Sequence, residues 1–378
     1  MHILHITTFL QGGAGCAITD LALNQAATGH EVTVVTSRRG EGDYGNYPQW
    51  LEKLSAAGID VLQVDSTFKR DVALHISAFR HLRETLAGRE LSLIHTHAAI
   101  PSMLALLLRS DSKRRVPILQ TMHGWGIRKD ALQAATDIAL MSAVDVVVTP
   151  SAASKRLLER LGVRSDHMSI VPYGVGPLRL SAEPPELDLL RRWRSGGYTV
   201  LVCVGTVGSR KNQRLLIEAI ADSKAPVRLA CAIVGEGEDV PTLRAMVQQT
   251  GIDARVHFFG YQPDAARFLD AADWLVLPSN DEGLPLSILE AYRAGMPVIG
   301  SDIPEIAEIV VPHETGILFR AGNRESLVEA LSTAANLGAD ARSRMGLAAS
   351  GLWTERYSLE RMLSGYAELY ESLVKLPG

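Results

Sequence analysis

The chain has 378 residues, 47% of them hydrophobic and 21% charged, with a formal net charge of −4. That length suits two ordinary domains, and the composition excludes a disordered or fibrous chain. Mild acidity and only 6% aromatic residues argue against a nucleic-acid binder, which wants a basic, base-stacking surface.

Cys16, Cys203 and Cys231 lie far apart in apolar contexts. They imply neither a disulfide framework nor a metal cage, and they fit a reducing compartment. Met1–Ile6 lacks the basic-then-apolar pattern of a secretory leader. The longest apolar run, Ala98 to Leu108, falls short of the roughly 18 residues that span a bilayer. The expected location is the cytoplasm.

His2 to Ile6 reads as a strand, followed by Gly12-Gly13-Ala14-Gly15, an apolar helix through Ala17, Leu21 and Ala26, and a second strand from Glu31 to Thr36. In a strand–glycine turn–helix unit the backbone can approach a phosphate or sugar closely; glycines also serve a tight turn alone. A dinucleotide fold would want G-x-G-x-x-G and an acid after the second strand. Here Ile18 follows Gly13-x-Gly15 and Ser37-Arg38-Arg39 ends the strand, which disfavours a dehydrogenase.

Gly40 to Tyr47 reads as a loop and Val61 to Val64 as a strand. Lys69-Arg70 then lead into a helical pattern with Leu74, Phe79 and Leu82 on one side and His75, Arg80, His81 and Arg83 on the other. Such a helix is either a solvated outer helix or a basic surface for an anionic membrane. Arg109 and Lys113-Arg114-Arg115 add a second basic cluster. Leu93 to His97 and Pro117 to Thr121 are further strands ending near histidines. His123 stands just past the second, where α/β sheets place ligand sites, although a lone histidine is more often structural.

Pro177 to Gly197 is rich in Pro, Glu and Arg and reads as a linker between domains 1–176 and 198–356. The second domain opens with the strand Val200 to Val204. Arg210 and Lys211 follow in a strand-to-helix loop, where a bidentate guanidinium and a point charge can hold a diphosphate, or form an exposed charged turn. Ala232 to Val234 and Val256 to Phe259 are strands, and Trp274 to Leu277 is a buried one. Pro278 to Pro285 then open a helix that Gly295 ends. Glu282 falls in this loop and Glu290 inside the helix, on either side of the N–H groups of Gly283 and Leu284. An anion site flanked by two carboxylates suits a ligand with phosphates in its middle and hydroxyls at both ends, such as a nucleotide-sugar. The plainer alternative is that these acids serve only the helix dipole or a neighbouring arginine. Leu359 to Leu376 carries Met362, Leu363, Tyr366, Leu369 and Tyr370 at helical spacing, read as a packing stripe.

Glu282-Gly283-Leu284-Pro285 through Glu290-Ala291, with Gly295-x-Pro297-Val298 and Glu308 beyond, resembles the E-x7-E region of family 4 glycosyltransferases. The glycine loop with Gly29-His30-Glu31-Val32, the segment Thr121-Met122-His123-Gly124 and the variant G-T-x-x-x-R-K-N at Gly205 to Asn212 are similar to the same family. Tyr173 stands where the family's N-G-V segment has Asn. The resemblance implies an α/β GT-B fold: two Rossmann-like domains facing across a cleft, with a C-terminal helix (357–378) crossing back to the first. It implies a retaining transfer from a nucleotide-diphosphate sugar, UDP-sugar weighed ahead of GDP-sugar, to a saccharide or lipid-linked hydroxyl in polysaccharide or glycolipid assembly. In the implied roles Arg210 and Lys211 neutralise the leaving diphosphate in place of a metal, with no cofactor. Glu282 binds the transferred sugar and Glu290 the ribose, Gly283 and Leu284 lie by the phosphates, and His123 and Gly13 meet the sugar. Peripheral contact at the inner face of an anionic membrane would follow from the basic clusters. Alternatives are a non-catalytic sugar-nucleotide-binding subunit and a GT-B epimerase or phosphorylase; a glycosidase fits poorly, because its carboxylates flank a scissile bond and these bracket an anion site.

Overall fold

The computed structural model describes residues 1–40, 45–66, 70–126, 129–177, 185–222, 228–262 and 264–375. Lys69 of the first basic cluster, residues 178–184 of the expected linker, and Leu376 lie outside these. The chain divides into two compact units, Met1–Tyr173 with Glu360–Gly378, and Gly174–Leu359.

The first unit holds seven parallel strands: β1 (His2–Thr7), β2 (Glu31–Ser37), β3 (Asp60–Val64), β4 (Leu93–His97), β5 (Ile118–Thr121), β6 (Val146–Thr149) and β7 (Met168–Ile170). Their order is β3-β2-β1-β4-β5-β6-β7. The second holds β8 (Thr199–Val204), β9 (Leu229–Val234), β10 (Val256–Gly260), β11 (Trp274–Leu277), β12 (Val298–Ser301) and β13 (Gly316–Phe319), in the order β10-β9-β8-β11-β12-β13. Both are doubly wound sheets, with a switch point between β1 and β4 in one unit and between β8 and β11 in the other. Strands β1, β9 and β11 are buried along their whole length, which is why they read as continuous apolar runs rather than alternating ones.

Three readings need correction. The stretch taken as a linker contains the helix Leu187–Ser195, which buries Leu187, Leu190 and Trp193; the Trp193 indole N–H donates to the Ala254 carbonyl at 3.0 Å. Its charged residues masked an amphipathic pattern with apolar residues three apart. The helix Val72–Thr85 turns His75, Ala78 and Leu82 inward, so His75 belongs to the core face rather than to the polar one. The last helix, Leu359–Val374, buries Tyr366 and Tyr370 in the first unit, but their hydroxyls join a hydrogen-bonded network instead of merely packing.

Candidate active site

In the second unit the loops after β8 and β11 meet at the switch point. The Asn280 N–H donates to the Arg210 carbonyl at 2.9 Å, and the Asn280 side-chain amide donates to the Ser209 carbonyl at 3.1 Å. Asn212 takes the left-handed conformation, φ 53°, and starts the helix Gln213–Ala221; asparagine tolerates that region better than most residues. Gly235, φ 145°, and Gly237 let the next loop pass under the first: a Cβ at either would stand 2.0 Å from the carbonyl oxygen of Gly205 or Val207.

This stitching brings Arg210, Lys211 and Glu282 together. The Lys211 ammonium donates to Glu282 Oε1 at 2.6 Å, and Ser279 Oγ donates to the same oxygen at 2.7 Å. Arg210 Nη1 donates to Glu282 Oε2 and to the Asp281 carbonyl, each at 3.2 Å. Lys211 is buried, whereas Arg210 keeps 44% of its side chain exposed. Burial alone would raise the Glu282 pKa; attraction to Lys211 and Arg210, with the Lys211 and Ser279 hydrogen bonds, holds it below the usual carboxylate range. Lys211 and Arg210 together outweigh the one carboxylate they touch by a unit of positive charge, and among the described residues only Nη1 of the guanidinium donates.

The helix Leu286–Arg293 starts one residue past Pro285, which occupies the N-cap position instead of the first turn; no side chain caps it. Gly283 is half-buried and Leu284 buried just before it. In the first turn the Ser287 hydroxyl is buried with no hydrogen-bond partner among the described residues, a donor that the sequence reading missed. Glu290 lies one turn further on. Burial raises its pKa, opposed by Arg293 and Lys211 and reinforced by Asp264. Burial likewise raises Asp281 and Glu305, two further acids around the cluster. The arrangement offers two cations, uncapped helix N–H groups and a hydroxyl to an anion, with a carboxyl beside them.

In the first unit Gly13 is exposed in the first turn of the helix Gly12–Ala27. Gly15 is the glycine that packing demands: a Cβ there would stand 2.2 Å from the Trp50 ring. His123 has both ring nitrogens engaged by protein. Nε2 is 3.1 Å from His97 Nδ1, and Nδ1 meets the Tyr173 hydroxyl in a short hydrogen bond. Tyr173, in the place of the family's Asn, thus binds His123 itself. Burial pushes the His123 pKa down to about 4.

His5, His95 and His97 bring ligand atoms within 4.8 Å of one another. They fit a metal poorly. All six of their ring nitrogens already make hydrogen bonds within the protein, and the set has no carboxylate to offset a dication in a buried site. The sequence signal for this cluster was present, since histidines two apart on a strand share a face.

Two doubly wound α/β units, one with a pair of cations at its switch point, define an α/β architecture that places ligand sites at the carboxyl ends of its strands. A family model described as Glycosyltransferase Family 4 matches residues 11–177, and one described as Glycosyl transferases group 1 matches 191–350. The chain belongs to the family 4 glycosyltransferases and is a transferase of the GT-B fold. It is similar to N-acetyl-alpha-D-glucosaminyl L-malate synthase of Bacillus anthracis, 24% identical over 96% of this chain and 95% of that protein. D-inositol 3-phosphate glycosyltransferase of Corynebacterium glutamicum is 25% identical over 85% of this chain and 83% of its own length. Anabaena HepE, solved with UDP-glucose, superposes with a TM-score of 0.82 at 19% identity, covering 99% of this chain and all of its own.

Proposed function

We propose that this glycosyltransferase moves a sugar, with retention, from a nucleotide-diphosphate sugar to a saccharide or lipid-linked hydroxyl, without a metal or other cofactor. The observation that carries the reading is the buried Lys211–Glu282 pair, with the half-exposed Arg210 on the same carboxylate, beside an uncapped helix N-terminus. Such an arrangement is suited to a diphosphate leaving group: charge that builds on the phosphates in the transition state meets donors already in place. Glu282 holds Lys211 and Arg210 in position and meets the sugar hydroxyls; Glu290, kept neutral more readily by burial, hydrogen-bonds the ribose. His123 and Gly13 keep the sugar-contacting roles that the family resemblance implies.

HepE was solved with UDP-glucose, which supports a UDP-sugar as the donor. Named relatives in lipopolysaccharide assembly support a glycolipid or polysaccharide acceptor, and with it a site of action at the cytoplasmic face of a membrane. No helix among the described residues is long and apolar enough to cross one.

The test is a matrix of UDP- and GDP-sugars, read first as a rise in melting temperature, because a ligand bound only to the folded state stabilises it. Release of nucleotide diphosphate is then measured with and without candidate acceptors in excess chelator, and the anomeric configuration of the product by NMR. Binding of nucleotide-sugars, acceptor-dependent release and a retained anomer support the reading; an inverted anomer or chelator-abolished turnover overturns it.

A further inference from the structure

The sequence marks one histidine of the first unit for function, His123, yet four imidazoles line the same sheet face. His5 on β1 lies opposite His95 on β4, and His97 lies opposite Thr121 on β5. Period-two alternation therefore sends His5, His95, His97 and Thr121 to one side. Gln25 of the helix Gly12–Ala27 and Tyr366 and Tyr370 of the last helix cover that side. The rings stack: His5 on His97 at 5.3 Å and 13°, His97 on His123 at 5.2 Å and 21°.

Hydrogen bonds run through this layer in a single direction, which Gln25 sets. Its Oε1 accepts from His5 Nε2–H at 2.7 Å, so His5 Nδ1 carries a lone pair. His97 Nε2–H donates to that lone pair at 3.0 Å. His97 Nδ1 then accepts from His123 Nε2–H at 3.1 Å, and His123 Nδ1 accepts from the Tyr173 hydroxyl. On the other side the Gln25 amide N–H donates to the Tyr370 oxygen at 3.1 Å. Tyr370 donates to His95 Nδ1 at 2.7 Å, and His95 Nε2–H donates to Thr121 Oγ1 at 2.8 Å. Every donor in this order finds an acceptor, and all four neutral rings take the Nε2–H tautomer. An added proton on His5 or His97 would leave a donor facing a donor, and one on His95 or His123 would force the Tyr370 or Tyr173 hydroxyl to turn from donor to acceptor.

We propose that His97, backed by His5 and Gln25, is a positioning residue for His123: it fixes that ring in one orientation and in the Nε2–H tautomer, with the Nδ1 lone pair held for Tyr173. Burial supports this neutral state, since it lowers all four histidines and raises Tyr173 and Tyr370. The hydrogen-bond partners of the rings are one another, Gln25, Thr121 and the phenols of Tyr173 and Tyr370, none of them charged at neutral pH. The consequence for turnover rests on the sugar-facing role proposed above for His123; the tautomer does not.

The test uses the full chain with 15N-labelled histidine and long-range 1H–15N NMR, which separates a bare ring nitrogen from a protonated one. The expected wild-type result is Nε2–H at His5, His95, His97 and His123, with none titrating between about pH 5 and 8, where a free histidine would. Asparagine keeps an acceptor oxygen near the place of Nδ1, whereas glutamine keeps its amide near Nε2. His97→Asn should therefore preserve the His123 signature and most of the turnover. His97→Gln should release His123 to mixed tautomers, and lower kcat by about tenfold to a hundredfold with a smaller change in the donor KM. If His97→Gln does not fold, Gln25→Met removes the amide that sets the direction, and His123 should again lose its single tautomer. A wild-type His123 in the Nδ1–H form, or one unchanged by both His97→Gln and Gln25→Met, overturns the proposal. So does a released His123 with unchanged kcat and KM. Absence of turnover with every nucleotide-sugar would defeat the transfer reading instead, and the NMR result would still decide the tautomer.

Discussion

The Lys211 ammonium and the Glu282 carboxylate, 2.6 Å apart, form a buried ion pair that joins the loop after β8 to the loop after β11. Breaking such a pair from one side strands a charge, which costs about 3–5 kcal/mol, whereas removing both charges together costs far less. Lys211→Met and Glu282→Gln should each lower stability clearly, and the double variant should be more stable than their sum. Denaturant titration of the four proteins checks this; additive effects would show that the pair is not coupled.

For activity, Lys211→Ala should reduce turnover by about a hundredfold or more, the range seen when one oriented transition-state donor is lost. Arg210→Lys should recover only part of the wild-type rate, since a point charge cannot copy a two-pronged guanidinium. The measurement is kcat at saturating donor in the presence of chelator. Near-normal turnover of Lys211→Ala would remove it from the chemistry.

The two carboxyls should respond to acid in opposite ways. Glu282 has a depressed pKa, so its stabilisation is present above the unfolded value and is lost as pH falls through the folded one. Glu290 has a raised pKa, so it favours the fold while protonated and opposes it once pH passes the folded value. Glu290→Gln should therefore raise the melting temperature at pH 7 while weakening nucleotide-sugar binding. Thermal melts across pH 3–8, with and without a UDP-sugar, distinguish the two; a Glu290→Gln protein that is less stable at pH 7 counts against the assignment.

Gly13 and Gly15 separate function from packing. Gly15→Ala should cost about 1–3 kcal/mol, because the new Cβ lies 2.2 Å from Trp50 and 2.7 Å from the Leu10 carbonyl carbon. Gly13→Val, at an exposed position, should spare the fold more than Gly15→Ala does and depress turnover by blocking close approach of the sugar. Paired melting and rate measurements decide it.

Membrane contact should be weak. Arg70 pairs with Asp137, and Arg109 and Arg115 both pair with Asp145, so part of the basic surface is already neutralised. Exposed Arg80, Arg83, Lys113 and Arg114 remain. At about 1 kcal/mol per cation near an anionic leaflet, screened by salt, the protein should sediment with anionic vesicles at low ionic strength and leave them at high. Equal recovery in the supernatant at both would exclude the contact.

The sheets were legible in the amino-acid order because strands buried on both faces need unbroken apolar runs, as in Trp274 to Leu277, and because Gly295 can end a helix where other side chains resist a positive φ. The local grammar of the loops after β8 and β11 was legible as well: Arg210-Lys211 after one strand, Glu282 and Glu290 after another. Local order could not show that Glu282 would hold Arg210 and Lys211, since the pair spans 71 residues and exists only because β8 and β11 are neighbours in the sheet. Nor could it show Tyr370 reaching Gln25 across 345 residues, or four histidines on and just past three strands becoming one hydrogen-bonded layer. Side-chain periodicity assigns a residue to a face; what stands opposite that face is decided by strand order and by which helix covers it.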